Sequence, residues 1–213
     1  MRSGPSPDLR GPTGATVPAR LGEFGIVAPK GVHNVERLLT VAEDAALPEG
    51  ARNPVKLLAE QFRDTQMKVE DVTVEIRKAA ENDEGARRLQ TIPGIGPIAS
   101  SALAATLPDV SNFKAARDLA AWLGLTPKPH SSGGKERLGK ISKMGNRYIR
   151  RLLYLGAMAT ITARRRKPAG DDWLWGMMQR KPVKLVAIAV ANRIARTVWA
   201  LLRTGESYRA SPG

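Results

Sequence analysis

The sequence predicts a mainly α protein. A helical linker capable of coiled-coil pairing comes first, then an α domain that contains a helix-hairpin-helix and a Gly-rich basic loop. Three observations carry that prediction. Apolar residues recur at steps of three and four along much of the chain, alternation at every second residue is sparse, and the periodic stretches are separated by residues that start or stop helices. At 213 residues the chain is long enough to bury a real core and to hold one or two domains.

Residues 1–20, MRSGPSPDLRGPTGATVPAR, are rich in Pro, Gly and Ser and lack the apolar run of a secretory signal, so they read as a disordered leader. Leu21 to Val27 and Val35 to Ala46 are short apolar pieces, the second a helix. Asn53-Pro54 reads as a helix start, with Asn53 as N-cap and Pro54 at the first helical position. From there Leu58, Phe62, Thr65, Val69, Val72, Ile76 and Ala79 form a heptad seam, flanked by charges such as Glu60, Arg63, Lys68 and Glu75. One amphipathic helix packed on its own domain's core accounts for that pattern equally well.

Asn82 to Gly85 breaks the helix, which ends the linker at residues 21–84 and opens a domain at residues 85–209. A short helix from Ala86 to Thr91 leads into the turn Pro93-Gly94-Ile95-Gly96-Pro97, and Ile98 to Leu107 is the next helix. Ser111 reads as the cap of a helix from Phe113 to Leu123, which Gly124 stops. Thr126 to Gly145 is polar, Gly-rich and basic, a loop with room for a short hairpin. Asn146 to Ala163 is a helix with Arg147, Arg150 and Arg151 on its first turns. Arg164 to Gly170 is a basic linker, and Pro182 to Leu202 is a final long helix.

Net charge is +14, unevenly spread. Residues 1–127 hold 15 lysines and arginines against 16 acids, a net of −1, whereas residues 128–213 hold 19 against 4, a net of +15. A neutral half beside a strongly basic one points to a polyanionic partner, attracted by steering and bound with counterion release. An anionic membrane is the rival partner, but the apolar runs near the C-terminus carry Lys184, Arg193 and Arg196, so none reads as a spanning helix. With no cysteine and only His33 and His130, thiolate and histidine-rich metal sites are excluded; the lack of cysteine fits a reducing cytoplasm.

Leu89–Leu103, LQTIPGIGPIASSAL, has the form of a helix-hairpin-helix, with Gly94, Ile95 and Gly96 as its DNA contact. Glycines let the backbone approach a phosphate, and the N–H groups opening the second helix bind its oxygens, which positions DNA without reading its sequence. A purely structural turn is the plain alternative. Gly94-x-Gly96-x-x-Ala99 also matches a dinucleotide-binding fingerprint, but that requires a preceding strand and a βαβ unit, which a helical piece ending in Pro93 does not supply. Gly134-x4-Gly139-Lys140 imitates a phosphate-binding loop, yet Ile141 stands where that motif needs Ser or Thr for magnesium.

The run His130-Ser131-Ser132-Gly133-Gly134-Lys135, followed by Arg137, Lys140 and Lys143, sets serine hydroxyls on a turn amid cations. Serine is a weak nucleophile unless a base, a metal or a polarised phosphate assists it. Cations here can hold a phosphodiester and stabilise its developing charge. On spacing alone, such a run is more often a plain loop.

The stretch from Thr91 to about Ala159 closely resembles the C-terminal domain of the insertion-sequence-110 family transposases. PGIGP, AAWLGLTP, HSSGGK and ISKMGNRYIRRLL follow in that family's order and spacing. The similarity continues through KPVKLVAIAVANRIARTVWALL and runs back to LGEFGIVAPKG, covering roughly residues 21–209. The resemblance implies DNA transposition through a covalent phosphoserine–DNA intermediate, with dimers or tetramers that share composite sites and, in characterised members, a structured guide RNA. It places the nucleophilic serine directly before the glycine, which is Ser132, with Ser131 as the alternative. It also implies a RuvC-like domain with four magnesium-binding acids, followed by a coiled-coil segment. Only the leader stands where that domain belongs, and Asp44, Asp64, Asp71 and Asp83 lie in or beside the helical linker rather than on sheet strands.

The expectation is therefore a truncated transposase that binds DNA through Gly94, Ile95, Gly96, Lys135, Arg137, Lys140, Lys143, Arg147, Arg150 and Arg151. It keeps Ser132, holds no metal or other cofactor of its own, and is inactive alone, Mg2+ entering only with the acidic domain. Its expected partners are DNA, a guide RNA, further copies of itself or a full-length transposase, with no membrane. Its expected place is the bacterial cytoplasm, at the nucleoid. A non-catalytic nucleic-acid-binding remnant and an RNA-binding scaffold protein are the alternatives.

Overall fold

The computed structural model describes residues 49–107, 109–129, 138–166 and 173–209. The expected leader, the apolar pieces before residue 49, and Ser131, Ser132, Lys135 and Arg137 lie outside the described residues. Among the described residues stand seven α-helices, one 3-10 turn and a two-stranded sheet, so the protein is mainly α as the sequence predicts. The chain divides into two units, Met1–Val72 and Thr73–Gly213.

Helix α1, Glu49–Asn82, runs through that division. It begins before Asn53, so Asn53 is not its cap, and Pro54 lies inside the helix. A proline this close to the start forgoes one intrahelical bond, which a long helix tolerates. Asp83 is extended and ends α1; its Oδ1 accepts from the Ala86 N–H at 2.6 Å and so starts α2, Glu84–Gln90. The turn to Gly96 follows, then α3, Pro97–Thr106, with proline at its first position.

Ser111 does not cap the next helix. The Asp109 carboxylate takes the Ser111 N–H at 2.9 Å and closes a 3-10 turn at Val110–Asn112, while Phe113 is extended. Hydrogen bonds from the backbone and side chain of Ser111 hold the Asp109 carboxyl below the ordinary carboxylate range. Helix α4 starts later, at Ala116–Trp122, with the Asp118 carboxylate accepting from the Ala115 N–H at 2.9 Å. Strands β1, Pro127–Pro129, and β2, Leu138–Ile141, pair antiparallel, Pro127 opposite Ile141. Helix α5, Arg147–Arg166, continues past Ala163, so Arg164, Arg165 and Arg166 are helical rather than linker. Helix α6, Trp173–Arg180, precedes α7, Val183–Thr204, which Gly205 ends in the left-handed region.

In the Thr73–Gly213 unit the core forms around α7, which buries Val186, Ala187, Val190, Ala191, Ile194, Ala195, Val198 and Leu201. Small residues alternating with β-branched ones let α4 and α5 pack against it, the latter through Ile149, Leu153, Ala157 and Ile161. The Trp199 indole N–H donates to the Phe113 carbonyl at 3.3 Å, and the Asn192 amide donates to the Leu125 carbonyl at 3.3 Å. By length and composition α7 is the one described helix that matches a membrane span. Its apolar face is the floor of this core, and Lys184, Arg193 and Arg196 occupy its exposed side.

Candidate nucleic-acid interface

Two segments far apart in sequence clasp one another at the start of α5. Gly124 and Gly145 both take positive φ, and a side chain on either would overlap backbone of the other segment: Met144 for Gly124, Trp122 for Gly145. The Ser142 N–H donates to the Thr126 carbonyl at 2.9 Å and the Lys143 N–H to the Gly124 carbonyl at 3.2 Å. Asn146 then caps α5, its Oδ1 accepting from the N–H groups of Tyr148 at 2.9 Å and Ile149 at 3.1 Å.

Arg150 locks this clasp. Its half-buried guanidinium donates to the Leu123 carbonyl at 3.0 Å and the Met144 carbonyl at 2.7 Å, across both segments. Expected as a DNA contact, it spends these two donors on backbone. The other cations of the cluster point out. Lys140 on β2, Lys143 in the clasp, and Arg147 and Arg151 one turn apart on α5 are all exposed. No described carboxylate lies within ion-pair distance of any of them. Lys143 has φ 56, the one described non-glycine residue in the left-handed region. Such a conformation persists only where its surroundings over-determine it, as the clasp does here.

The turn Gly94-Ile95-Gly96 sits further along α5. Gly94 has φ 90, and a Cβ there would overlap the Gly156 carbonyl, so turn and helix touch backbone to backbone. The Thr160 hydroxyl ties them together, donating to the carbonyls of Gly156 at 3.0 Å and Pro93 at 3.3 Å. Ile95 is buried in the core. Gly96 alone of the three is exposed, at the N-cap of α3, with nothing within 4 Å of where a Cβ would stand. Gly156 lies nine residues beyond Arg147, about 14 Å at the rise of a helix. Lys140, Lys143, Arg147 and Arg151 thus belong to one end of α5 and the glycine turn to its middle.

A second surface went unread in the sequence. An open groove of about 1740 Å³ runs along α7, between the β1–β2 hairpin, Trp173 of α6 and the tail Glu206–Arg209. Lys140 and Lys143 reach it from the clasp, and Lys181, Lys184, Arg193 and Arg196 reach it from the α6–α7 side. Helical spacing on the polar face of α7 marks the Lys184, Arg193 and Arg196 wall of the groove, and only the fold brings the other walls to it. Among the described residues no group of three or more His, Asp or Glu is placed to hold a metal. Asp64 and Asp71 are exposed on α1 and Asp83 is committed to capping α2, so these residues do not fit a magnesium centre.

Residues 86–171, from α2 through α5, match the model of the transposase IS116/IS110/IS902 family. Over that stretch the chain is similar to that family. It is 43% identical over 194 residues to the transposase-type protein y4pF/y4sB of Sinorhizobium fredii, covering 90% of this chain and 50% of that protein. It is 39% identical to a probable family 20 transposase of Pseudomonas aeruginosa, covering 89% of this chain and 57% of the relative. With the transposase for insertion sequence element IS1328 of Yersinia enterocolitica it shares 37% identity, covering 87% of this chain and 56% of the relative. The chain therefore spans about half the length of the curated relatives it matches.

Proposed function

We propose that this chain is the DNA-gripping, serine-bearing part of a transposase, with its duplex contact at the start of α5. The observation that carries the proposal is the set of exposed cations Lys140, Lys143, Arg147 and Arg151, none of them ion-paired with a described carboxylate, on a clasp tied together by Arg150. A fixed cluster of cations meets a phosphate backbone with little ordering cost, and the exposed Gly96 at the start of α3 adds a place for backbone approach. Arg147→Ala with Arg151→Ala should weaken duplex binding and lower the slope of log affinity against log salt by about 1.8, two phosphates at ~0.9 each. Titrations by fluorescence anisotropy over a range of salt measure both. An unchanged slope rejects this cluster as the contact.

The cutting step belongs to Ser132 in this proposal, with Ser131 as the alternative. Its Oγ–P bond forms as a phosphate–deoxyribose P–O bond breaks; the serine gives up its proton and the departing deoxyribose oxygen gains one as a free hydroxyl, leaving DNA esterified to the serine. The acids that would hold Mg2+ for that step must come from beyond the described residues. Supplied with an acidic RuvC-like domain in trans, Ser132→Ala should abolish the covalent protein–DNA adduct on a denaturing gel. Survival of the adduct rejects Ser132. The same proposal has copies of the chain pairing through the α1 seam or with a full-length transposase, a guide RNA as a further partner, and bacterial nucleoid DNA as the place of action.

A further inference from the structure

We infer that the groove along α7 takes an unpaired strand of nucleic acid, RNA or DNA, rather than duplex. This rests on the proposal that the basic half grips nucleic acid, and it names the form gripped there. The groove combines three features. Its α7 wall is a helical stripe, Lys184-Leu185, Ile188-Ala189, Asn192-Arg193, Arg196-Thr197 and Ala200, on the side away from the buried face. Lys184 to Ala200 spans sixteen residues, about 24 Å at 1.5 Å per residue, long enough for several successive nucleotides of one strand.

Charge is the second feature. Seven cations line the groove, Arg209 completing those already named, and Glu206 is the single carboxylate among the lining residues. No described carboxylate forms an ion pair with Lys184, Arg193 or Arg196. The third feature is what separates a strand from a duplex. Between the cations the groove is apolar, with Leu185, Ile188, Ala189 and Ala200, and aromatic rings of Tyr154, Trp173 and Tyr208 stand on its lining. Duplex DNA presents sugar and phosphate to a protein and keeps its base faces stacked inside, so it would leave that apolar surface uncovered. An unpaired strand offers base faces, which stack on aromatic rings while arginines meet the phosphates.

Trp173 is already prepared for this. It is 44% exposed, and the Arg193 guanidinium lies over its ring at 5.0 Å from the centroid. The cation sets the ring's orientation and leaves the ring partly open to solvent, the pairing of aromatic and arginine that single-strand grooves use.

Fluorescence anisotropy on the whole chain tests this with three probes: a short mixed-sequence DNA strand, its RNA counterpart and the corresponding DNA duplex. Arg193→Ala with Arg196→Ala should weaken single-strand binding about tenfold or more and lower its salt slope by about 1.4, two contacts at ~0.7 each. Duplex affinity should stay within about twofold, because the cluster on α5 is intact. Trp173→Leu, which keeps every cation, should weaken single-strand binding by about fivefold or more through lost stacking. Lys184→Ala is the second cation variant, and matching circular dichroism melts confirm that each variant folds. Binding of either the DNA or the RNA strand supports the inference, and the tighter of the two identifies the strand.

Equal losses for strand and duplex overturn it, as does Trp173→Leu binding like the parent. Duplex binding without single-strand binding also overturns it while leaving the α5 contact standing. Failure to bind any of the three at low salt removes both proposals together.

Discussion

Helices α1 and α7 share a pattern and meet opposite fates. Both are long, both repeat apolar residues at steps of three and four, and both carry charges between them. Along α7 eight side chains are buried. Along α1 the single described buried side chain is Ala80, while Leu57, Met67, Val69 and Val72 are each more than half exposed. Periodicity therefore announces a helix and marks its apolar face, but it does not say what covers that face. Composition makes the difference. On α7 the alanines at 187, 191 and 195 let neighbouring helices come close, and Val186, Val190, Ile194 and Val198 fill the space between. On α1 the seam mixes Leu58 and Phe62 with the polar Thr65 and the small Ala79.

The largest effect should fall on α7. Ile194→Ala removes buried methyl groups from the centre of the core and should cost about 2–5 kcal/mol. Val72→Ala on α1 should change stability by less than ~0.5 kcal/mol. Urea denaturation followed by circular dichroism measures both. Equal costs would break the comparison, since they would mean that the two helices are covered alike.

What the sequence made legible was local. Helix periods, the stop at Gly124 and the turn at Pro93–Pro97 depend on neighbours a few residues away, and each appears where expected. Errors arose where two local signals competed. Asp109 rather than Ser111 provides the capping carboxylate after α3, and Pro54 is absorbed by a helix that has already begun. What could not be read was long-range. Gly94 reads locally as a place of phosphate approach, and its lack of a side chain also lets the turn lie against Gly156, sixty-two positions away. Arg150 stood in a run of cations, and only the folded chain brings the Leu123 carbonyl to it. The groove escaped for the same reason, since its walls come from the hairpin, α6, α7 and the tail. The resemblance supplied Ser132 and the family, which no spacing rule could have given.

The smallest effect on folding should come from the α1 seam, and it is informative because the readout is association. With Leu58, Thr65, Val72 and Ala79 at one seam position, the alternate position holds Phe62, Val69 and Ile76. β-Branched residues at the latter position favour two-stranded pairing. Val69→Lys with Val72→Lys puts two ammonium groups into that seam, where a partner helix would have to desolvate them. Unfolding of the Thr73–Gly213 unit should move by less than ~0.5 kcal/mol, because neither side chain is part of its core. The parent chain should sediment as a dimer and the double variant as a monomer. A parent that stays monomeric at every concentration tested would mean that the exposed seam pairs no copies, and that the heptad pattern of α1 serves some other partner.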